Sequence, residues 1–470
     1  SLNEGFIKPT KQELERRVKA VTGQDYLPDY NNLKTYLLLE DTARLKDQEY
    51  FDFQVARLTA IWGELLARSS GGVSEEEMKR KIGPHVRFYV SLQRDGNTPG
   101  VVLDPKTVEG ARERLRASDQ EQAYYDLFVR ARNEEKIDPT KPDGDVTNLM
   151  FPPITLKDVF ADRSDVRTIL TSKDELALQK GKAAQIDGAF TYEAFKIIDK
   201  LLADEASKLL EREAWVVPYN REEKLAQETI EKRLKNVRKR YEDAYIAAWT
   251  QFFEDVDTKI PQTNGEAISE YKILSTPDWP YRRLIQVLAD NTQFTDEVLP
   301  SGLTQDGGVL DQIQRRIERR FRSTTNISLD ELRAAKDLTS KERIKLTFEN
   351  VVKFGITPPY VPPPAAPDGS KPPEKAPTDP ELNKYIAHLE KLASEMQVIE
   401  EGPLNTETGE ATKLFTQAVK DTEAMVLKLD SRGQGMMREM LLNPLRAGYK
   451  AFLRGAGGAA SGLWEVMVWP

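Results

Sequence analysis

A chain of 470 residues has room for about three domains of average size. With 39% hydrophobic and 31% charged residues it has the composition of a folded, charge-rich chain, and its net charge of −8 offers no basic face for nucleic acid as a bulk partner. There is no cysteine, which excludes disulfides and thiolate metal sites.

The first residues, "SLNEGFIKPTKQELERR", are polar and charged and do not read as a signal peptide. No run approaches 18 consecutive apolar residues, so no segment reads as membrane-spanning. Residues 1–150 read as an N-terminal helical domain. One segment in it, "HVRFYVSLQR", is ambiguous. Val86, Phe88, Val90 and Leu92 alternate as in a strand, whereas Ile82, Val86 and Tyr89 fit a helix.

A central helical domain is expected over 151–356. Its "AQIDGAFTYEAFKII" (184–198) raises the choice between a phosphate-cradling turn and a helix start. With Thr191 as N-cap, Phe190 is N′ and Phe195 is N4, the two positions of a hydrophobic staple. Gly188 would let the chain turn sharply ahead of them. No G-x-x-x-x-G-K-[ST] occurs, so the segment is read as a helix start. Ile197, Ile198, Leu201, Leu202, Leu209 and Leu210 then line one face of 192–214.

A spine helix follows near 221–256, with Asn220 as N-cap and Glu223 at N3. Ile230, Leu234, Val237, Tyr241, Tyr245, Trp249, Phe252 and Val256 recur at three and four as one apolar stripe. About 35 residues at 1.5 Å each make a rod of roughly 50 Å. Two basic runs, "KRLKNVRKR" and "RRIERRFR", read as solvated helix faces, with phosphate or an acidic partner as the alternative.

Thr357–Pro380 holds ten of the 27 prolines and is neither helix nor inner strand. It reads as an extended linker reaching up to roughly 70 Å at about 3.1 Å per residue, an SH3-type ligand being the other use. Residues 381–470 form a C-terminal helical segment, with Tyr385, Leu389, Leu392 and Met396 on one face. It stops on the apolar, Trp-rich "LWEVMVWP", which suggests a cut inside a larger protein. The fold expected is mainly α, in elongated multi-helix bundles.

Chemistry is hard to find. His85 and His388 are the only histidines and form no H-E-x-x-H pattern; no G-x-S-x-G elbow or EF-hand loop is present. The reading is therefore no enzyme, with no catalytic residue, cofactor or metal. Two alternatives stand beside it: a cytosolic helical scaffold or adaptor, and an all-α hydrolase using paired carboxylates.

Several segments, in their order and spacing, resemble the periplasmic region of the TssM (IcmF-like) family. They are "DGAFTYEAF", "REAWVV", "RYEDAYIAAWTQFFEDVDTKIP" and "YKILSTPDWPYRRLIQVLADNTQFT". Gly188, Phe190 and Thr191 match the family's G-x-F-T helix start. Trp215 and Val216 match its W-V, and Tyr241, Tyr245 and Trp249 its Y-x-x-x-Y-x-x-x-W helix. Upstream, Tyr30, Leu33, Tyr36, Leu37 and Leu39 of "YNNLKTYLLLED" resemble another family segment. The likeness covers roughly 30–350 well and 381–470 more loosely. "STPDWPYRRL" departs by lacking the serine before the family's usual proline, and the proline-rich linker is longer than expected. The resemblance moves the segment at His85 towards helix.

What it implies is a scaffold of the type VI secretion system's envelope-spanning complex, the periplasmic arm of an inner-membrane protein of a Gram-negative bacterium. Its implied partners are other copies of itself, a TssL-like inner-membrane protein and a TssJ-like outer-membrane lipoprotein. The last would be reached through a C-terminal β-rich domain that "LWEVMVWP" would begin.

Overall fold

The computed structural model describes residues 3–69, 72–133, 135–136, 148–149, 151–173, 184–218, 227–276, 280–294, 339–356, 380–401 and 409–455. Several expectations lie outside these residues: the Asn220/Glu223 cap, the basic run 315–322, linker residues 357–379 and the apolar end 463–470.

The protein is mainly α. Helices α1 (Lys8–Lys19), α2 (Tyr26–Leu37), α3 (Gln48–Ser69), α4 (Glu75–Arg94), α5 (Pro105–Arg116) and α6 (Gln120–Phe128) come first. Local chemistry starts several of them. Ser74 accepts the Glu77 amide at α4, Asp104 precedes Pro105 and accepts two amides at α5, and Asp119 does the same at α6. The ambiguous segment lies within α4. Val86 and Val90 are buried while Phe88 is 65% exposed, the pattern of a helix and not of a strand.

Three short strands, β1 (Glu135–Lys136), β2 (Asn148–Leu149) and β3 (Ile154–Thr155), precede α7 (Leu156–Val159) and α8 (Val166–Ile169). Strands β4 (Leu170–Ser172) and β5 (Gln185–Ile186) follow. The expected single run 192–214 is instead α9 (Tyr192–Lys200), a π-type turn over Leu201–Glu205, and α10 (Ala206–Glu213). The spine is α11 (Gln227–Asp255), ending directly in β6 (Val256–Thr258). Its stripe packs from Val237 onwards: Val237, Tyr241, Tyr245, Trp249, Phe252 and Val256 are buried, and Ile230 and Leu234 half-buried. The last helices are α12 (Asn264–Leu274), α13 (Pro280–Thr292), α14 (Ser340–Gly355), α15 (Leu382–Glu401), α16 (Gly409–Val426) and α17 (Ser431–Gly455). Among the described residues the strands make three two-stranded antiparallel pairs, β1–β2, β3–β5 and β4–β6.

The chain divides into two compact units, 1–153 with 187–243 and 154–186 with 244–470. Each is built from two separate stretches, whereas the domains drawn from sequence at 150 and 356 are contiguous. In the first unit the long helices α3 and α4 pack antiparallel as a hairpin, beside α1, α2 and α5. In the second, α12 packs on α15 and α17, and α16 packs on both α15 and α17. The sequence-read stripe Tyr385, Leu389, Leu392 and Met396 is buried there.

Candidate functional site

Five of the residues singled out from sequence meet at one place in the first unit. Thr191 caps α9, its hydroxyl accepting the Ala194 amide at 3.4 Å and donating to the Gly188 carbonyl at 2.8 Å. Phe190 and Phe195 both stack on the ring of Tyr241, with centroids 6.1 and 6.0 Å away. The Tyr241 hydroxyl donates to the Ala189 carbonyl at 2.7 Å. Gly188 has a different reason from the sharp turn expected of it. It starts a short 3₁₀ turn, and a Cβ there would come within 1.8 Å of the Phe151 carbonyl oxygen. Close backbone approach excludes any side chain. The Thr191 and Tyr241 hydroxyls are both engaged with backbone of this segment.

Trp215 stands elsewhere in the same unit. Its ring meets Tyr50 edge-on at 5.8 Å, and the Arg44 guanidinium lies 4.2 Å above it. Arg112 donates to the Trp215 and Val216 carbonyls at 2.9 Å each, fastening the chain after α10. Tyr245 and Trp249 belong to the second unit, since the boundary falls within α11. There Tyr245 donates to the Asn291 carbonyl at 2.6 Å and Trp249 is fully buried against Phe252.

The first unit also carries a cleft of about 710 Å³, the candidate recognition site. Phe53, Leu127, Ile197, Leu201 and Leu209 contribute apolar wall; Glu49, Asp52, Lys208 and Arg212 contribute charge. Ile197, expected in the core, is 39% exposed here. Glu213 accepts Lys34 Nζ at 2.7 Å and the Tyr30 hydroxyl at 2.6 Å on the same oxygen. The Lys34 ammonium also lies 4.8 and 4.6 Å from the Tyr50 and Phe53 ring centroids. Burial lowers the Lys34 pKa against the opposing pull of Glu213. At the rim Arg212 grips Glu49 with two bonds of 2.8 and 2.9 Å. The Lys34–Glu213 and Arg212–Glu49 pairs tie α2, α3 and α10 together.

In the second unit the polar core gathers round a proline. Pro444 inside α17 has no N–H, so the Met440 carbonyl four residues back loses its helical donor. The Tyr281 hydroxyl donates to that carbonyl at 3.0 Å. Tyr385 donates to the Leu441 carbonyl at 2.8 Å and Tyr271 to the Pro444 carbonyl at 3.0 Å. All three tyrosines are fully buried, and burial raises their pKa values well above the ordinary one. Asn443 donates to both oxygens of Asp257 at 3.1 and 3.0 Å. Near Asp257 lies Glu270, 4% exposed, whose carboxyl burial pushes up to about 8.

Sequence reasoning passed over these groups, although a signal exists. Tyr30, Leu33 and Lys34 share one helical face, as do Ala267, Glu270, Tyr271 and Leu274, so both charged residues sit where apolar neighbours point inward. Among the described residues no three His, Cys, Asp or Glu side chains gather as a metal site, and no helix is long and apolar enough to cross a membrane. The basic run on α11 is partly used within its own unit. Arg238 pairs with Asp199 at 2.8 Å, and the Arg240 guanidinium lies 4.4 Å above the Tyr125 ring.

A family model described as IcmF-related, "Intracellular multiplication and human macrophage-killing", matches residues 1–293. The type VI secretion system component TssM1 of Pseudomonas aeruginosa is 25% identical over 308 residues, 65% of this chain and 24% of that protein. The chain therefore spans about a quarter of the length of this curated relative. A solved chain described as "Type VI secretion system membrane core complex" shares 12% identity at a TM-score of 0.43, covering 75% of this chain and 53% of the other.

Proposed function

The chain belongs to the IcmF-related family, and from that premise we propose that it is a structural part of a type VI secretion membrane complex, acting by protein–protein assembly. The observation that carries the reading is the family match over residues 1–293, a span that contains the motifs at 188–191, 215–216 and 241–249. The polar chemistry supports it. Lys34, Glu213, Arg212, Glu49 and the three tyrosines over Pro444 all brace helices.

A hydrolase fits less well. General acid catalysis needs a carboxyl held protonated beside a substrate. In the cleft, Glu213 and Glu49 are neutralised by Lys34 and Arg212. Among the described residues the one carboxyl raised towards neutrality, Glu270, is buried in the other unit.

Within this reading the chain is the periplasmic arm of an inner-membrane protein. It packs against other copies and a TssL-like inner-membrane protein. It reaches a TssJ-like outer-membrane lipoprotein through sequence outside residues 1–470. The decisive experiment tags the native gene, fractionates the cells and captures the tagged protein with its partners. Recovery with the envelope, together with secretion components, is expected. A cytosolic protein that captures none of them would overturn the proposal. In a paired pull-down, residues 1–470 alone should bind the lipoprotein more weakly than a longer chain continuing past 470. Equal binding would place the docking surface within 1–470.

A further inference from the structure

Glu270 projects from α12 into the core of the second unit, and its Oε1 has no hydrogen-bond partner. Among the described residues it forms no ion pair. Its surroundings are the wrong ones for a charge. Strand β6 offers the carboxylate of Asp257 and the hydroxyl of Thr258, the latter bonded to the Glu270 carboxyl. Tyr271 on α12 itself, Tyr281 on α13 and Tyr385 on α15 also feel its charge. Their hydroxyls donate instead to carbonyls of α17 around Pro444. From α17, Asn443 spends its amide on Asp257. Among the described residues no lysine or arginine forms an ion pair with the Glu270 carboxyl.

We propose that Glu270 is a proton-dependent latch, which lets α12, β6 and the kinked part of α17 close on one another while its carboxyl is uncharged. α17 carries Pro444 in its interior, and the Met440 carbonyl that this frees accepts from the Tyr281 hydroxyl of another helix. Gly448 on the next turn lies so near Tyr271 that a Cβ there would come within 2.0 Å of the hydroxyl oxygen. The contact between α12 and α17 is close at this point, and the Glu270 carboxyl is 4% exposed.

The raised carboxyl pKa gives the direction. In the closed state Glu270 keeps its proton up to about pH 8. An opened state that exposes the carboxyl releases it in the ordinary carboxyl range. The closed state therefore binds more protons between those limits, and opening becomes easier as pH rises through that window. The limiting slope is about tenfold in the opening equilibrium per pH unit, levelling off above about 8. The same fold in a more acidic medium is held more tightly.

Hydrogen exchange on the intact chain tests this directly. Protection factors for amides of α12 and β6, corrected for the intrinsic rate, would be compared at pH 6 and pH 8. In the wild type they should fall by at least about tenfold, while amides of α3 and α4 in the first unit do not follow. Glu270→Gln keeps the size and removes the ionisation, so its protection should be independent of pH over this range. Asp257→Asn removes the neighbouring charge and leaves Glu270 able to ionise; it should retain a pH-dependent fall of smaller amplitude. An equal fall in wild type and Glu270→Gln, or none in the wild type, would overturn the latch. An unchanged amplitude in Asp257→Asn would remove Asp257 from it.

Discussion

A methyl group at position 188 would meet the Phe151 carbonyl oxygen, and backbone cannot swing aside as a side chain can. Gly188→Ala should therefore cost about 3 kcal/mol, the upper range of overpacking. Thr191→Ala removes the cap of α9 and the hydroxyl's bond to the Gly188 carbonyl and should cost about 1 kcal/mol. Denaturant melts of both variants check the order. A Thr191→Ala loss larger than that of Gly188→Ala would contradict the close-approach argument. Lys34 and Glu213 lead to a second residue-scale expectation. Breaking a buried ion pair from one side strands the other charge, so Lys34→Met should destabilise by about 3–5 kcal/mol. Replacing both partners with apolar residues should recover part of that loss, because no uncompensated charge remains. If the double replacement is as damaging as the single one, the pair contributes more than mutual neutralisation.

α17 is the element with the most specific support. Tyr281 supplies the donor that Pro444 cannot, so Tyr281→Phe leaves the buried Met440 carbonyl unsatisfied and should cost about 1–3 kcal/mol. Pro444→Ala restores an N–H at position 444. In that background the same tyrosine change should cost less, which a double-mutant cycle measures as a coupling energy. No coupling would mean that the Tyr281 hydroxyl and the proline are independent features. α4 shows how an element can look wrong in a short window. The alternation from Val86 to Leu92 mimics a strand, but Ser74 caps a helix twelve residues upstream of Val86 and Phe88 points outward. α9 and α10 show the reverse case. One face was expected over 192–214, but Ile197, Leu201 and Leu209 line the cleft while Ile198, Leu202 and Leu210 are buried, with a π-type turn at Leu201–Glu205 within the run.

At the scale of the molecule the two units exchange sequence. Residues 154–186 belong with 244–470, and β4 in that stretch pairs with β6 at 256–258. A fragment ending at 243 keeps 154–186 but loses its pairing strand. Trypsin should then cut after Arg163 and Arg167 faster than it does in the full chain. In the full chain Arg163 is bonded to Asp165 and Thr276, and β4 begins three residues after Arg167. Equal protection of both chains would show that 154–186 folds without the sequence beyond 243.

The sequence by itself determined what depends on near neighbours. The mainly α class, the stripe of α11 from Val237 to Val256, the inward face of α15 and the Thr191 cap all follow from spacings of three and four residues or from one side chain and the next turn. Family membership was legible for the same reason, as an order of local motifs. Tertiary structure alone decided which groups the inward charges meet and why Gly188 is glycine. It also decided where the chain divides. Lys34 meets Glu213 across 179 residues, Tyr271 meets Pro444 across 173, and Asn443 meets Asp257 across 186. A local pattern marks such a side chain as facing inward but does not name its partner, because burial of a charge is tolerated only when a distant group arrives to meet it. Glu270 is the case where no cation arrives, and a proton takes its place.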